Sequence, residues 1–108
     1  MRLLLDECVP ARLRQALPSH QVSTVVQEGW SGIKNGKLLA LAAAGFDALI
    51  TVDKNLPYQQ NISKLPVAVL VLDAASNELP YLLPLVPALE HALVNLKPGD
   101  VLLVRLDA

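Results

Sequence analysis

Cysteine is almost missing: Cys8 is the only one in 108 residues. A lone thiol excludes an intramolecular disulfide and a zinc site built from thiolates. Aromatic residues are also few, at 4% of the chain, while 53% is hydrophobic. The interior must therefore be filled by Leu, Val and Ala, which suits an α/β core. Neither sign of charge dominates. Nine Lys and Arg stand against ten Asp and Glu, a net charge of -1. That balance gives no global attraction to nucleic acid, so any such binding needs a local patch. No apolar run approaches the roughly 20 residues of a membrane span. Nor does the start read as a leader peptide, because Asp6 and Glu7 interrupt what would be its apolar region. The expectation is a cytoplasmic protein with no membrane association. Linkers, repeats and low-complexity tracts are lacking too, and the length is that of one domain, residues 1–108.

What is present is a regular alternation. An apolar run at residues 3–5 predicts a first strand. Pro10 suits a first helical turn, and Leu13, Ala16 and Leu17 recur at helical spacing up to Pro18. Residues 21–26 predict a second strand, and 27–34 a loop with Gly29 and Gly32. Asn35 is placed to cap a helix through 37-KLLALAAA-44, closed by Gly45. Residues 48–52 and 67–72 predict strands three and four, joined by the polar loop 53-DKNLPYQQNISKLP-66. Leu85, Leu89, Leu93 and Leu96 mark a late amphipathic helix, confined by Pro84 and Pro87 to residue 85 onward. The tetrapeptide 97-KPGD-100 has Pro and Gly where a type II turn wants them, and 101–104 is a fifth strand. Strands apolar on both faces and separated by helices predict a three-layer α/β/α sandwich around a mostly parallel sheet of about five strands.

Ligands of such sheets sit beyond the carboxyl ends of the strands. At those ends stand Asp6 and Glu7, Glu28, Asp53 and Asp73, with Lys34, Lys37 and Lys54 on the same edge. Asp47, Lys64 and Asp100 precede strands and fall on the opposite edge, as does His20. Converging carboxylates repel unless a cation intervenes. Asp6, Asp53 and Asp73, with Glu7, are therefore candidate ligands of Mg²⁺ or Mn²⁺, which take carboxylate and phosphate oxygens. Lys34, Lys37, Lys54 and Asn35 are candidate substrate-phosphate contacts. The plainer reading weighs heavily. Acids often cap helices and turns, and for Glu7, Glu28 and Asp73 taken singly that is the stronger account; for Asp6 and Asp53 the two readings balance. Lysines more often form a solvated face. Cys8 reads as a small buried side chain, His91 as part of a polar helix face, and Trp30 and Tyr58 as packing covers over loops.

The segments 3-LLLDECVPARLRQALP-18 and 25-VVQEGWSGIKNGKLLALAAAGFDALITVDKNLPYQQN-61 resemble the small bacterial PIN-like proteins, relatives of the VapC-like toxins. The resemblance spans about the first two-thirds of the chain, and its LLDE and T-x-D-K-N pieces are specific together. It implies a PIN-like sandwich and a Mg²⁺- or Mn²⁺-dependent ribonuclease acting on single-stranded RNA. It also implies a toxin–antitoxin setting, with an antitoxin or a second copy as protein partner. Asp6 matches the first-strand acid and Asp53 the acid of T-x-D, the two catalytic candidates. The chain departs from the family where another acid usually opens the central helix: here stand Asn35, Gly36 and Lys37. An amide is a weaker ligand than a carboxylate, and a lysine adds charge of the wrong sign.

Two rival classes share parts of this pattern. A signalling receiver domain also has an acidic pair after strand one and a phosphorylated Asp after strand three. The stretch between Asp53 and strand four leaves little room for its crossover helix, and the chain stops just after strand five, where a closing helix would follow. A binding module that keeps the fold without the chemistry fits Asn35 and Lys37.

Overall fold

The computed structural model describes residues 1–56 and 65–106. In chain order it contains β1 (Arg2–Leu5), a 3-10 turn (Ala11–Ala16), β2 (Gln21–Thr24), α1 (Asn35–Ala43), β3 (Ala48–Thr51) and β4 (Ala68–Leu72). These are followed by α2 (Leu79–Leu82), a second 3-10 turn (Leu83–Leu85), α3 (Val86–Val94) and β5 (Val101–Val104). The strands form one sheet of order β2-β1-β3-β4-β5, every neighbouring pair parallel. The central strands explain the uninterrupted apolar runs. Leu3, Leu4, Leu5, Leu49, Ile50 and every residue of β4 are buried, because a parallel sheet is covered on both faces.

The pleat sends alternate residues into two cores. Leu3, Leu5, Ile50 and Leu70 face Leu13 and Leu17 of the first connection and Leu85, Leu89 and Leu93 of the last. Leu4, Leu49 and Val69 face Leu38, Leu39 and Ala42 of α1 on the other side. Two helical layers on one parallel sheet make the α/β/α sandwich. No helix among the described residues is long and apolar enough to cross a membrane.

The layers also fix the hand of the connections. The β1–β2 and β4–β5 segments cover the same face but step in opposite directions along the sheet. Their crossovers therefore have opposite hands. The β2–β3 crossover, on the other face and stepping the other way, shares the hand of β1–β2. Parallel crossovers are right-handed in about 98% of cases, so of these three β4–β5 is the exceptional one. Its unusual course begins where the chain leaves β4 and reaches over to β1: Asn77 Nδ2 donates to the Cys8 carbonyl at 3.0 Å.

Local chemistry moved several boundaries. The first helical segment is a 3-10 turn of six residues, not an α-helix. Pro10 and Pro18 leave room for only two turns, and short helices tolerate 3-10 geometry. Strand two ends at Thr24 because Gln27 folds back: its N–H donates to Thr24 Oγ1 at 3.0 Å and its Oε1 accepts the Thr24 N–H at 3.1 Å. Lys34, not Asn35, is the cap of α1, and Asn35 is its first residue. The helix closes on Ala44 in the right-handed region, and Gly45 has no positive φ. Gly99 has φ 84° and Asp100 N–H donates to the Lys97 carbonyl at 3.1 Å, as the predicted type II turn requires.

Candidate active site at the carboxyl edge

The sheet order reverses direction between β1 and β3, so the chain leaves those neighbouring strands towards opposite flanks. A doubly wound sheet opens its ligand crevice at such a reversal. Asp6 follows β1 and Asp53 lies two residues beyond the end of β3. Asp6 N–H still donates to the Ile50 carbonyl at 2.9 Å, which holds the acid against the β3 terminus.

Thr51 joins the two. Its side chain is wholly buried at the last position of β3. Its hydroxyl donates to Asp6 Oδ2 at 2.8 Å and accepts the Asp53 N–H at 3.0 Å. One hydroxyl thus orients the Asp6 carboxylate and the backbone that carries Asp53. The second Asp6 oxygen accepts the Glu7 N–H at 2.9 Å. Asp53 Oδ1 accepts the Asn55 N–H at 2.9 Å, a local turn that leaves Oδ2 as the other oxygen of a half-buried carboxylate. No ion pair neutralises Asp6 or Asp53 among the described residues.

Cys8 closes the group. Its Sγ lies 3.4 Å from Thr51 Oγ1 and 3.5 Å from Asp6 Oδ2. Burial pushes the thiol above its ordinary range; the Thr51 hydroxyl and the Val52 backbone pull it back, and the Asp6 carboxylate pushes it up again. Cys8 is half-buried and reads as a neutral packing thiol next to the acids.

The other candidates are held apart by partners of their own. Glu7 does not cap the 3-10 turn. Its Oε1 accepts the Gly32 N–H at 2.7 Å, which ties the loop before α1 to the end of β1. Glu28 Oε2 accepts from the Ser23 hydroxyl at 2.7 Å. Asp73 pairs with Lys54 at 2.6 Å and with Arg105 at 3.7 Å. The Lys54 ammonium holds the Asp73 carboxyl below its ordinary range, with Arg105 adding to the effect. Lys34 and Lys37 are exposed at the start of α1, near the Gly32 contact in sequence; Asn35 is half-buried between them. Among the described residues no three His, Cys, Asp or Glu side chains gather as a metal-holding group. Trp30 stacks edge-on against Phe46 with centroids 6.2 Å apart, a packing role. His20 lies at the amino edge, where its Nε2 meets Glu90 Oε1 at 2.5 Å. Tyr58 and Lys64 lie outside the described residues.

The donor set suits a hard cation. Asp6 and Asp53 offer carboxylate oxygens, and Mg²⁺ commonly takes one or two carboxylates and completes its shell with water and substrate phosphate. Thr51 is the residue that sequence reasoning passed over. Its signal was there: a polar side chain ends the apolar run 48-ALIT-51, and a buried hydroxyl needs a partner. Arg105 carried no signal, because its place beside Asp73 depends on β5 pairing with β4.

A second opening lies on the other flank of β1. Asp6, Glu7, Pro10, Arg14, Val25 and Val26 are among the residues lining a cleft of about 390 Å³ between the ends of β1 and β2. No family model, no curated protein and no solved structure matches the chain.

Proposed function

We propose that this protein is a Mg²⁺- or Mn²⁺-dependent endoribonuclease of the PIN-like kind. It acts on single-stranded RNA in the cytoplasm as the toxin of a toxin–antitoxin pair. The observation that carries the reading is the Asp6–Thr51–Asp53 arrangement: two acids from neighbouring strands, without counter-cations among the described residues, organised by one buried hydroxyl at the reversal of the sheet. Asp6 and Asp53 would hold the ion, and a bound divalent cation activates water and offsets charge on a phosphodiester. Thr51 orients Asp6. Lys34 and Lys37, exposed at the start of α1, supply positive charge for flanking phosphates. Glu7 and Asp73 contribute less, since Glu7 serves the Gly32 loop and Asp73 serves Lys54.

A second reading is a PIN-like binding module that has lost the chemistry, with an antitoxin or a second copy as partner. Asn35 and Lys37 at the start of α1, where the PIN-like pattern usually has an acid, favour it.

Two measurements separate these readings. Calorimetric titration of Mn²⁺ should show Asp53→Asn binding about tenfold more weakly than wild type, the scale of one charged ligand contact. Wild-type protein should cut single-stranded RNA with Mn²⁺, and Asp6→Ala should abolish the cut. Equal Mn²⁺ affinity would remove Asp53 from the site. Cleavage that survives Asp6→Ala, or none by wild type with any metal, would leave the binding module.

A further inference from the structure

The cleft on the β2 flank of β1 is built from different chemistry than the acid pair. Pro10 and Val26 contribute apolar wall, and Val26 is 65% exposed although it is a large aliphatic residue. Arg14 supplies the one cation among its described lining residues. Its guanidinium has no carboxylate partner among the described residues, so its fork of donors is open. Glu7 has an oxygen already engaged with Gly32, and both Asp6 oxygens are hydrogen-bonded. The volume, about 390 Å³, is at the small end of ligand sites and suits one nucleotide unit rather than a paired strand.

Resting on the nuclease reading, we infer that this cleft is the subsite for the nucleotide next to the scissile phosphate. The base lies against the Pro10–Val26 wall and the following phosphate sits on the Arg14 fork. A guanidinium matches phosphate in a bidentate way that an ammonium does not. A base must be unpaired to reach such a wall, so the cleft selects single strands. Two carboxylates and one guanidinium share the lining, so the bare cleft repels an anion. RNA binding should therefore tighten when Mn²⁺ occupies the Asp6 end.

The test is fluorescence anisotropy with a labelled single-stranded RNA octanucleotide, run with and without Mn²⁺ at two salt concentrations, alongside Mn²⁺ calorimetry. Arg14→Gln should weaken RNA binding about tenfold, the scale of one charge-assisted contact. It should flatten the salt slope by about 0.7, the share of one phosphate on a single strand. Its Mn²⁺ affinity should be unchanged. Arg14→Lys should restore part of the affinity, and the neutral change Val26→Ser should lose affinity without touching metal binding. Wild type that binds RNA through Arg14 yet never cuts removes the nuclease reading and leaves the cleft as an RNA-binding site without a scissile phosphate. Wild type that cuts, with Arg14→Gln binding equally well, removes the subsite and keeps that reading. No RNA binding by wild type overturns both.

Discussion

The two ends of the carboxyl edge treat their acids differently. At the β1–β3 end, Asp6 is held by a hydroxyl and a backbone N–H, and no cation stands against it among the described residues. At the β4–β5 end, Asp73 is bracketed by Lys54 and Arg105. Both acids follow apolar strands of the same sheet, and both are half-buried. The difference lies in the partner. Neutral donors orient a carboxylate and leave its charge available to a cation. Cationic donors consume that charge and turn the acid into part of the scaffold. Position at a strand end thus brings an acid to the ligand edge, and the partner decides whether it can do chemistry there.

The strongest way to break the contrast is Thr51→Val. It keeps the shape of a buried side chain and removes the hydroxyl that Asp6 and Asp53 share. Losing partners for a carboxylate oxygen and a backbone N–H should cost about 1–3 kcal/mol of stability, towards the low end where water can replace the bond. Denaturant unfolding measures this, and the Mn²⁺ titration of the same variant should weaken. A variant as stable as wild type that binds Mn²⁺ normally would show that Thr51 organises nothing.

A smaller effect is expected at the other end. The carboxyl of Asp73 titrates below its ordinary range in the folded protein. The unfolded chain therefore takes up the proton first as pH falls. The stability this acid contributes is present above the ordinary carboxylate range and is lost as pH drops through the folded value. Unfolding midpoints from about pH 6 to about pH 2 should show a shallower acid-side decline in Asp73→Asn than in wild type. The pair is exposed enough for solvent to screen it, so the neutral-pH midpoint should move little. An unchanged acid-side profile would mean that Lys54 and Asp73 do not pair in solution.

The smallest change sharpens the comparison from the thiol next door. Asp6 raises the Cys8 pKa, after burial and against Thr51 and Val52. Replacing Asp6 with Asn should therefore let iodoacetamide alkylate Cys8 modestly faster at mildly alkaline pH, because the thiolate is the nucleophile. The effect should stay small, since burial is the leading cause and persists. No change in rate would mean that Asp6 carries no charge the thiol can sense.

Sequence alone determined the layer architecture, because period and length are local. Apolar runs of four or five residues between helical or proline-bounded segments have few ways to be covered other than a buried parallel sheet. The type II turn at residues 97–100 was equally legible, since Gly99 alone suits its positive φ. It also placed Asp6, Asp53 and Asp73 on one edge, which follows from parallel order and nothing more. Tertiary structure decided the rest. Lys54 found Asp73 and Arg105, Glu7 found Gly32 across the loop before α1, and Asn77 reached back to Cys8 along a crossover of unexpected hand. The cleft beside Arg14 exists because a six-residue 3-10 turn and the early end of β2 leave space between them. Contacts of this kind join residues up to 69 positions apart. A strand-end acid carries the same local signal whether its eventual neighbour is a hydroxyl or an ammonium, and only the packed sheet chooses between them.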